Sequence, residues 1–242
     1  MVMGRNVQNA RRPLDGMTYW QRTFGCQMNE NDAERVAGML ETAGALPVAT
    51  IEEADIAVFI TCCVREKAEL RLMGQVASIK NVPNAHEAKR IIAVGGCIGQ
   101  LEGATLRESL PHVDIVFGTH NLGHLVDLIE LRLSTGEPQV ETIDANDGFS
   151  SDLPVRREKP WHAWVPIMTG CDNFCSYCIV PYVRGRETSR PIESIAAELA
   201  GLSSEGIREV TLLGQNVNSY GRDLYGRPRF AEVLALAGQS GV

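Results

Sequence analysis

The chain has 242 residues, of which 44% are hydrophobic and 22% are charged, as expected of a soluble globular protein with one large domain or two ordinary ones. No apolar run is long enough to cross a bilayer, and residues 1–16 lack the apolar block of a secretory signal. We therefore expect no membrane contact, a disordered tail over residues 1–16 and a cytoplasmic location. The formal net charge of −7 argues against a nucleic-acid partner, but residues 154–190 hold six basic and three acidic side chains, and local charge decides whether phosphate is attracted.

Strand and helix patterns alternate over residues 17–134, which we assign to a first domain. Alternation of this kind predicts a Rossmann-like α/β domain with a parallel sheet and right-handed crossovers. Short apolar runs predict strands, and helical spacing between them predicts helices. The predicted strands are Thr18–Thr23, Ile56–Thr61, Arg90–Val94 and Ile115–Phe117, and the predicted helices are Asn31–Ala43, Val64–Lys80, Leu101–Leu110 and Asn121–Leu133.

A second α/β region follows a segment of different composition. Residues 135–159 are rich in Gly, Pro, Asp and Ser, which predicts a linker. From residue 160 the alternation resumes, and residues 160–242 form a second domain of about two βα units. Its predicted elements are the strand His162–Met168, the helix Glu193–Ser204, the strand Glu209–Leu213 and a helix from Phe230.

Three of the seven cysteines form the pattern Cys171-x-x-x-Cys175-x-x-Cys178. In a reducing compartment such thiols bind metal rather than form disulfides, and an odd count also argues against a paired disulfide framework. A cubane [4Fe–4S] cluster on three thiolates leaves one iron open to chelate a small molecule, as reductive cleavage of S-adenosylmethionine requires. The loop follows a predicted strand, where α/β folds place active sites. The alternative is a zinc site, which usually needs a fourth protein ligand, and only His162 lies nearby.

Three further cysteines each follow a predicted strand: Cys26, Cys62 and Cys97. The carboxyl ends of parallel strands lie along one edge of a sheet, so these side chains would converge. Taken singly, each cysteine would more often be a small buried core residue. A second metal centre and plain packing both remain open on this pattern. If the strand continued through it, Cys63 would point to the opposite side from Cys62, and we assign it to packing.

Five stretches resemble the radical S-adenosylmethionine methylthiotransferases: TFGCQMNENDAE, ITCCVREKAE, GGCIGQ, IMTGCDNFCSYCIVPYVRGRETSR and LLGQNVNSYG. They extend from Thr18 to Tyr220. The resemblance implies two [4Fe–4S] clusters, with S-adenosylmethionine as the further cofactor. Ile60 stands where the family commonly has Asn, which weakens any inference about hydrogen bonding to the first cluster but removes no ligand. The implied ligands are Cys26, Cys62 and Cys97 for an auxiliary cluster, and Cys171, Cys175 and Cys178 for the radical-generating cluster.

The resemblance also implies an activity and its partners. LLGQNVNSYG is similar to the branch that converts N6-dimethylallyladenosine at position 37 of tRNA to its 2-methylthio derivative. Open alternatives are a threonylcarbamoyladenosine tRNA or a ribosomal-protein aspartate as substrate, an inactive iron–sulfur fragment, and a zinc protein. The expected partners are tRNA and an electron donor such as flavodoxin or ferredoxin, with a monomeric full-length protein.

Full members of the family carry a (βα)6 partial barrel and an RNA-binding β-barrel after the first domain. Residues 160–242 would then be a radical SAM core truncated after about two βα units, and we expect this chain alone to be weakly active or inactive.

Further residues receive roles on the same basis. Tyr177 and Phe174 would contact the adenine of S-adenosylmethionine or shield the cluster, with core packing as the alternative. Gln215 and Asn216, at the end of a predicted strand, would contact S-adenosylmethionine or substrate. Three arginines are predicted to contact RNA phosphates, with a solvated basic loop as the alternative: Arg184, Arg186 and Arg190.

Overall fold

The first half of the molecule is a six-stranded parallel sheet with helices on both faces. The computed structural model describes residues 12–64, 66–86, 89–143 and 152–242. The strand order is β2-β1-β3-β4-β5-β6, which confirms the predicted parallel sheet. The strands are β1 (Thr18–Phe24), β2 (Leu46–Pro47), β3 (Ile56–Thr61), β4 (Ile91–Gly96), β5 (Ile115–Phe117) and β6 (Gln139–Glu141). The helices are α1 (Gln27–Thr42), α2 (Glu66–Ile79), α3 (Cys97–Glu102), α4 (Thr105–Ser109) and α5 (Leu125–Thr135).

The two central strands, β3 and β4, are buried along their whole length because helices cover both faces of the sheet. Side chains alternate between the faces, as they must in a strand. Ile56, Val58 and Ile60 pack with residues of α1 and α5 in one core cluster. Ala57 and Phe59 pack with residues of α2, α3 and α4 in the other. The sheet is therefore the middle layer of three.

The second half begins a new parallel sheet. Strand β7 (His162–Pro166) pairs in parallel with β10 (Glu209–Leu213), and α7 (Ile192–Ser204) forms the crossover between them. Two short antiparallel strands, β8 (Met168–Thr169) and β9 (Thr188–Ser189), enclose the cysteine loop, which contains α6 (Val180–Val183). The chain then forms α8 (Arg222–Tyr225) and α9 (Phe230–Gln239). Within the described ranges, no helix has the length and apolar composition that crossing a membrane requires.

Several predicted boundaries need correction. The helix predicted over Leu101–Leu110 is interrupted at Gly103, whose φ of +51° ends α3 before α4 begins. The predicted linker over residues 135–159 contains β6, which extends the sheet, while residues 144–151 lie outside the described part of the chain. The predicted disordered tail over residues 1–16 is wrong for residues 12–16, which form a turn with Leu14 fully buried. Residues 1–11 lie outside the described ranges.

Candidate metal centres

The strand register brings the first three cysteines to one edge of the sheet. Phe24 of β1 lies opposite Thr61 of β3, and Thr61 lies opposite Gly96 of β4. These three residues end or nearly end their strands, and the cysteines come immediately afterwards. The carboxyl edge of three adjacent strands therefore carries Cys26, Cys62 and Cys97, which are 35 or more positions apart in the sequence.

Four thiols lie at this edge, and they influence one another's pKa in two pairs, Cys26 with Cys62 and Cys63 with Cys97. The Cys26 thiol also lies 3.3 Å from Asn29 Oδ1. Cys63 packs against the α2 side of the core, as predicted, but it is not turned away from the other cysteines. The strand ends at Thr61, so the condition under which Cys63 would point to the opposite side from Cys62 is not met.

Each thiol pair favours one thiolate. The hydrogen bond from Cys62 lowers the pKa of Cys26 to about 5, and backbone N–H groups of α1 and the charge of Arg184 act in the same direction. The hydrogen bond from Cys63 lowers the pKa of Cys97 to about 6, again with help from Arg184. The same interactions raise the pKa of Cys62 and of Cys63, because each of these thiols must keep its proton to donate it to the partner thiolate. Thiolates, not thiols, are the form that ligates metal.

Glycines let the backbone turn sharply beside these cysteines. Gly96 has a φ of +90°, and a Cβ added there would lie 2.7 Å from the Thr61 carbonyl oxygen. A Cβ on Gly25 would lie 2.3 Å from Asn29 Oδ1. Position 96 therefore requires glycine, whereas a side chain at position 25 would displace the Asn29 amide. Ile60, by contrast, is fully buried in the core cluster under α1 and α5, so this departure from the family pattern places its side chain in apolar packing.

The second cysteine group lies in a loop that is closed at its base. The Cys171 N–H donates to the Gly185 carbonyl, and Arg186 forms two hydrogen bonds to Asp172, of 2.8 and 3.1 Å. Gly170 has a φ of +75°, and a Cβ added there would lie 2.0 Å from the Arg186 carbonyl oxygen. Cys171 is buried, whereas Cys175 is exposed and Cys178 is partly exposed. The loop is therefore fixed at its ends and open at its thiols.

The donor sets consist of cysteine thiols. Among the described residues, no group of three Cys, His, Asp or Glu side chains is arranged to hold one metal ion. In a cubane cluster each thiolate binds a different iron, and two groups of three cysteines supply donors of that kind.

Two aromatic residues of the cysteine loop are exposed. Tyr177 is 89% exposed and Phe174 is 47% exposed, so the alternative of core packing is wrong for both. Phe174 has a φ of +44°, rare for a residue with a side chain, and its ring lies under the Arg186 guanidinium at 5.3 Å.

Gln215 follows β10 at the same sheet edge, because Leu213 pairs with Pro166 just before the cysteine loop. Its Oε1 atom is buried and has no hydrogen-bond partner among the described residues. A buried acceptor left unpaired by protein is a natural place for a ligand donor. Asn216 is half-buried, and its backbone carbonyl accepts hydrogen bonds from Ser219.

Two of the three arginines predicted to contact RNA are buried. Arg184 is 6% exposed and donates to Asp32 at 2.7 Å. Arg190 is 2% exposed and donates to the Pro166 carbonyl and to Glu198. Both predictions of phosphate contact need correction, because these guanidinium groups are directed inward. Arg186 is exposed at the loop.

Sequence reasoning missed Asn29 and Asp32 as site residues. Both are buried on α1. Asn29 accepts a hydrogen bond from the Cys26 N–H, and Asp32 accepts one from the Arg184 guanidinium. The available signal was the spacing of three from Cys26 to Asn29 and of three again from Asn29 to Asp32, which places these polar side chains on one helix face.

Two family descriptions match the chain: Uncharacterized protein family UPF0004 over residues 18–118 and the Radical SAM superfamily over residues 165–238. The chain is 48% identical over 226 residues to the tRNA-2-methylthio-N(6)-dimethylallyladenosine synthase of Frankia casuarinae, covering 93% of this chain and 42% of that protein. The proteins of the same name from Desulforamulus reducens and Streptomyces avermitilis are 48% and 45% identical, over 89% and 94% of this chain. The chain spans 48% and 45% of their lengths, and thus less than half of each relative.

A solved structure shares the fold. The radical S-adenosylmethionine methyltransferase TsrM from Kitasatospora setae, with cobalamin and a [4Fe–4S] cluster bound, superposes with a TM-score of 0.55 at 12% identity. The match covers 91% of this chain and 50% of that chain. At this identity the likeness concerns the fold alone.

Proposed function

Since this chain is related to the tRNA methylthiotransferases and carries a UPF0004 domain in front of a radical SAM domain, we propose that it methylthiolates C2 of N6-dimethylallyladenosine at position 37 of tRNA. The observation that carries this proposal is the pair of cysteine groups, each at the carboxyl edge of a parallel sheet. An unactivated aromatic C–H bond calls for radical chemistry from a cofactor, with the protein supplying position and exclusion of water.

The cofactors divide between the two groups. A radical SAM domain implies a [4Fe–4S] cluster and S-adenosylmethionine. We assign that cluster to Cys171, Cys175 and Cys178, and a second one to Cys26, Cys62 and Cys97. When bound, the first supplies reductive cleavage of S-adenosylmethionine at its open iron, and the second supplies the sulfur.

The chain's own residues bind and orient the cofactor and the substrate. The buried Oε1 of Gln215 accepts a hydrogen bond from S-adenosylmethionine or the substrate base, which satisfies an otherwise unpaired atom. Tyr177 and Phe174 cover the open side of the loop against water. Asn216 continues the same edge, and Arg186 offers an exposed cation to an RNA phosphate.

We also propose the remaining partners on functional grounds. Reductive cleavage needs a one-electron donor such as flavodoxin or ferredoxin, and a tRNA substrate places the protein in the cytoplasm. A single polypeptide supplies both cysteine groups, so a monomer suffices when the protein is full length.

Iron content tests the cofactor assignment. After anaerobic reconstitution, two cubane clusters give about eight irons per chain, and Cys171→Ala lowers the value to about four. Cys63→Ala removes a neighbouring thiol that is not a proposed ligand, so the iron content stays as in the wild type. Colourless protein that binds about one zinc per chain would contradict the assignment.

Nucleoside analysis tests the activity. We expect tRNA from a bacterial strain that lacks its own methylthiotransferases to gain a small amount of the 2-methylthio derivative of dimethylallyladenosine when this chain is expressed, in keeping with the weak activity expected of it. Gain on threonylcarbamoyladenosine instead would contradict the substrate. Iron-loaded protein that cleaves no S-adenosylmethionine under dithionite would indicate the inactive iron–sulfur fragment.

A further inference from the structure

A buried guanidinium from the second domain reaches into the cysteine edge of the first. Arg184 directly follows α6, and its Nη2 atom donates to Asp32 Oδ2 at 2.7 Å, although the two residues are 152 positions apart. The side chains of both are less than one-tenth exposed. Asp32 lies on α1, the helix whose first turn follows Cys26.

The same guanidinium lies near enough to Cys97, at the start of α3, for its charge to act on that side chain. Its planar fork donates to Asp32 on α1. The backbone just before Arg184 is held as well, because the Thr119 hydroxyl donates to the Val183 carbonyl at 2.6 Å. Arg184 is therefore fixed from both sides.

Stability alone is a poor reason for this arrangement. Taking two charges out of water costs several kcal/mol per ion, and apolar replacements of buried ion pairs are often as stable or more stable. Three thiolates ligating an iron cube, by contrast, gather negative charge at one point. A fixed cation beside such a cluster favours the reduced, more negative state and raises its reduction potential.

We propose that Arg184 is a positioning residue for the auxiliary cluster, holding a positive charge against Cys97 and joining the auxiliary site to the radical SAM loop through Asp32. This inference rests on the proposed second cluster at Cys26, Cys62 and Cys97. It assigns Arg184 to the inside of the enzyme, as part of the surroundings of the sulfur-donating centre.

The test measures the reduction potential of the auxiliary cluster alone. The full chain carries Cys171→Ala, Cys175→Ala and Cys178→Ala, is reconstituted anaerobically, and is titrated while the reduced cluster is followed by electron paramagnetic resonance. Arg184→Gln shifts the potential to a more negative value, because the cation is lost. Asp32→Asn shifts it in the opposite direction, because an anion near the same cluster is lost. Arg184→Lys, which keeps the charge, shifts the potential less than Arg184→Gln does.

Arg90→Gln is the matched control. Arg90 is also buried, but it donates to the carbonyls of Ala54, Val82 and Pro83 at the opposite edge of the same sheet. It should leave the potential unchanged while lowering thermal stability. A merely structural role for Arg184 would give the same result as Arg90→Gln, and that outcome overturns the proposal.

The outcomes also separate this inference from the proposed function. A parent chain that takes up no iron at Cys26, Cys62 and Cys97 overturns both. An iron-loaded parent whose potential is the same in Arg184→Gln and Asp32→Asn overturns the role of Arg184 alone. If Arg184→Gln fails to fold, Asp32→Asn still decides, because an unchanged potential in that variant overturns the role of the buried pair.

Discussion

At the scale of single residues, Gly170 decides whether the cysteine loop can close. Its φ of +75° and the approach of the Arg186 carbonyl leave no room for a side chain. The loop base that this contact forms holds Cys171 next to Gly185. A side chain at position 170 would therefore displace the first ligand of the loop.

We expect Gly170→Ala to lose the iron bound at the loop and to keep the iron at the sheet edge, so that the content falls from about eight to about four per chain. Gly136→Ala is the matched control, because Gly136 also has a φ of +75° but its added Cβ would only come within 4.0 Å of the Arg132 side chain. It should cost about 1 kcal/mol of stability and no iron. Iron analysis of both variants decides, and equal iron contents would contradict the expectation.

The sequence predicted the cysteines better than the arginines for a physical reason. Each cysteine follows a strand, and parallel strands end at a common edge, so local pattern already determines where the thiols lie. The position of a long cationic side chain depends on its tertiary partner. Arg184 donates to Asp32, and Arg190 donates to Glu198 and to a carbonyl of β7. The sequence around residues 184–190 does not predict any of these partners.

At the scale of elements, α1 is unusual because three of its charged residues are buried. Residues 31–40 are all buried, including Asp32, Glu34 and Arg35. One side of the helix packs on the sheet, and the other is covered by the chain that leads into the second domain. Glu34 accepts a hydrogen bond from the Glu158 N–H, and Arg35 donates to the Leu153 carbonyl at 2.6 Å.

Gly38 lets this covering segment approach the helix, since a Cβ there would lie 2.4 Å from the Pro154 carbonyl oxygen. We expect Gly38→Ala to lower the free energy of unfolding by about 1–3 kcal/mol, as overpacking does. Gly74→Ala, in the middle of α2 with nothing near the added Cβ, should instead raise it by about 0.5–1 kcal/mol. Urea denaturation of the metal-free chain measures both, and destabilisation by both substitutions to the same degree would count against the close contact.

Two of the strands that sequence patterns predicted well are fully buried. The bounds of β3 and β5 agree with the predicted strands, because continuous apolar runs mark strands covered on both faces. The bounds of β10 also agree, although that strand is only partly buried. The missed strands, β2 and β6, are two and three residues long and form the two edges of the sheet. Edge strands have little apolar pattern to detect, and β2 even contains Pro47. Their pairing is a property of the sheet and not of the local sequence.

At the scale of the whole molecule, polar contacts join the two domains into one body. Besides Arg184 and Asp32, Arg35 of α1 lies 3.6 Å from Glu198 of α7. Thr119 bonds the backbone at Val183. Contacts of this kind, largely removed from water, should make the two domains unfold together.

Tryptophan fluorescence can test this cooperativity, because Trp20 lies in β1 and Trp164 lies in β7. In two single-tryptophan versions of the metal-free chain, we expect the same urea midpoint. Arg35→Met, which removes contacts across the boundary, should separate the two midpoints. Arg132→Met is the control, because Arg132 pairs with Asp114 inside the first domain. Its loss should not make the second domain unfold at a lower urea concentration than the first. Separate midpoints already in the unsubstituted versions would show two independent folding units.

The carboxylate at position 32 and the guanidinium at position 184 also bear on how such a gene can change. Each domain carries a charge whose neutralising group is inherited with the other domain. A chimera that lost one of the two would bury a lone ion, at a cost of about 3–5 kcal/mol. Descendants should therefore keep both groups or replace both, and recombination between the two domains should succeed only among parents that agree at these positions.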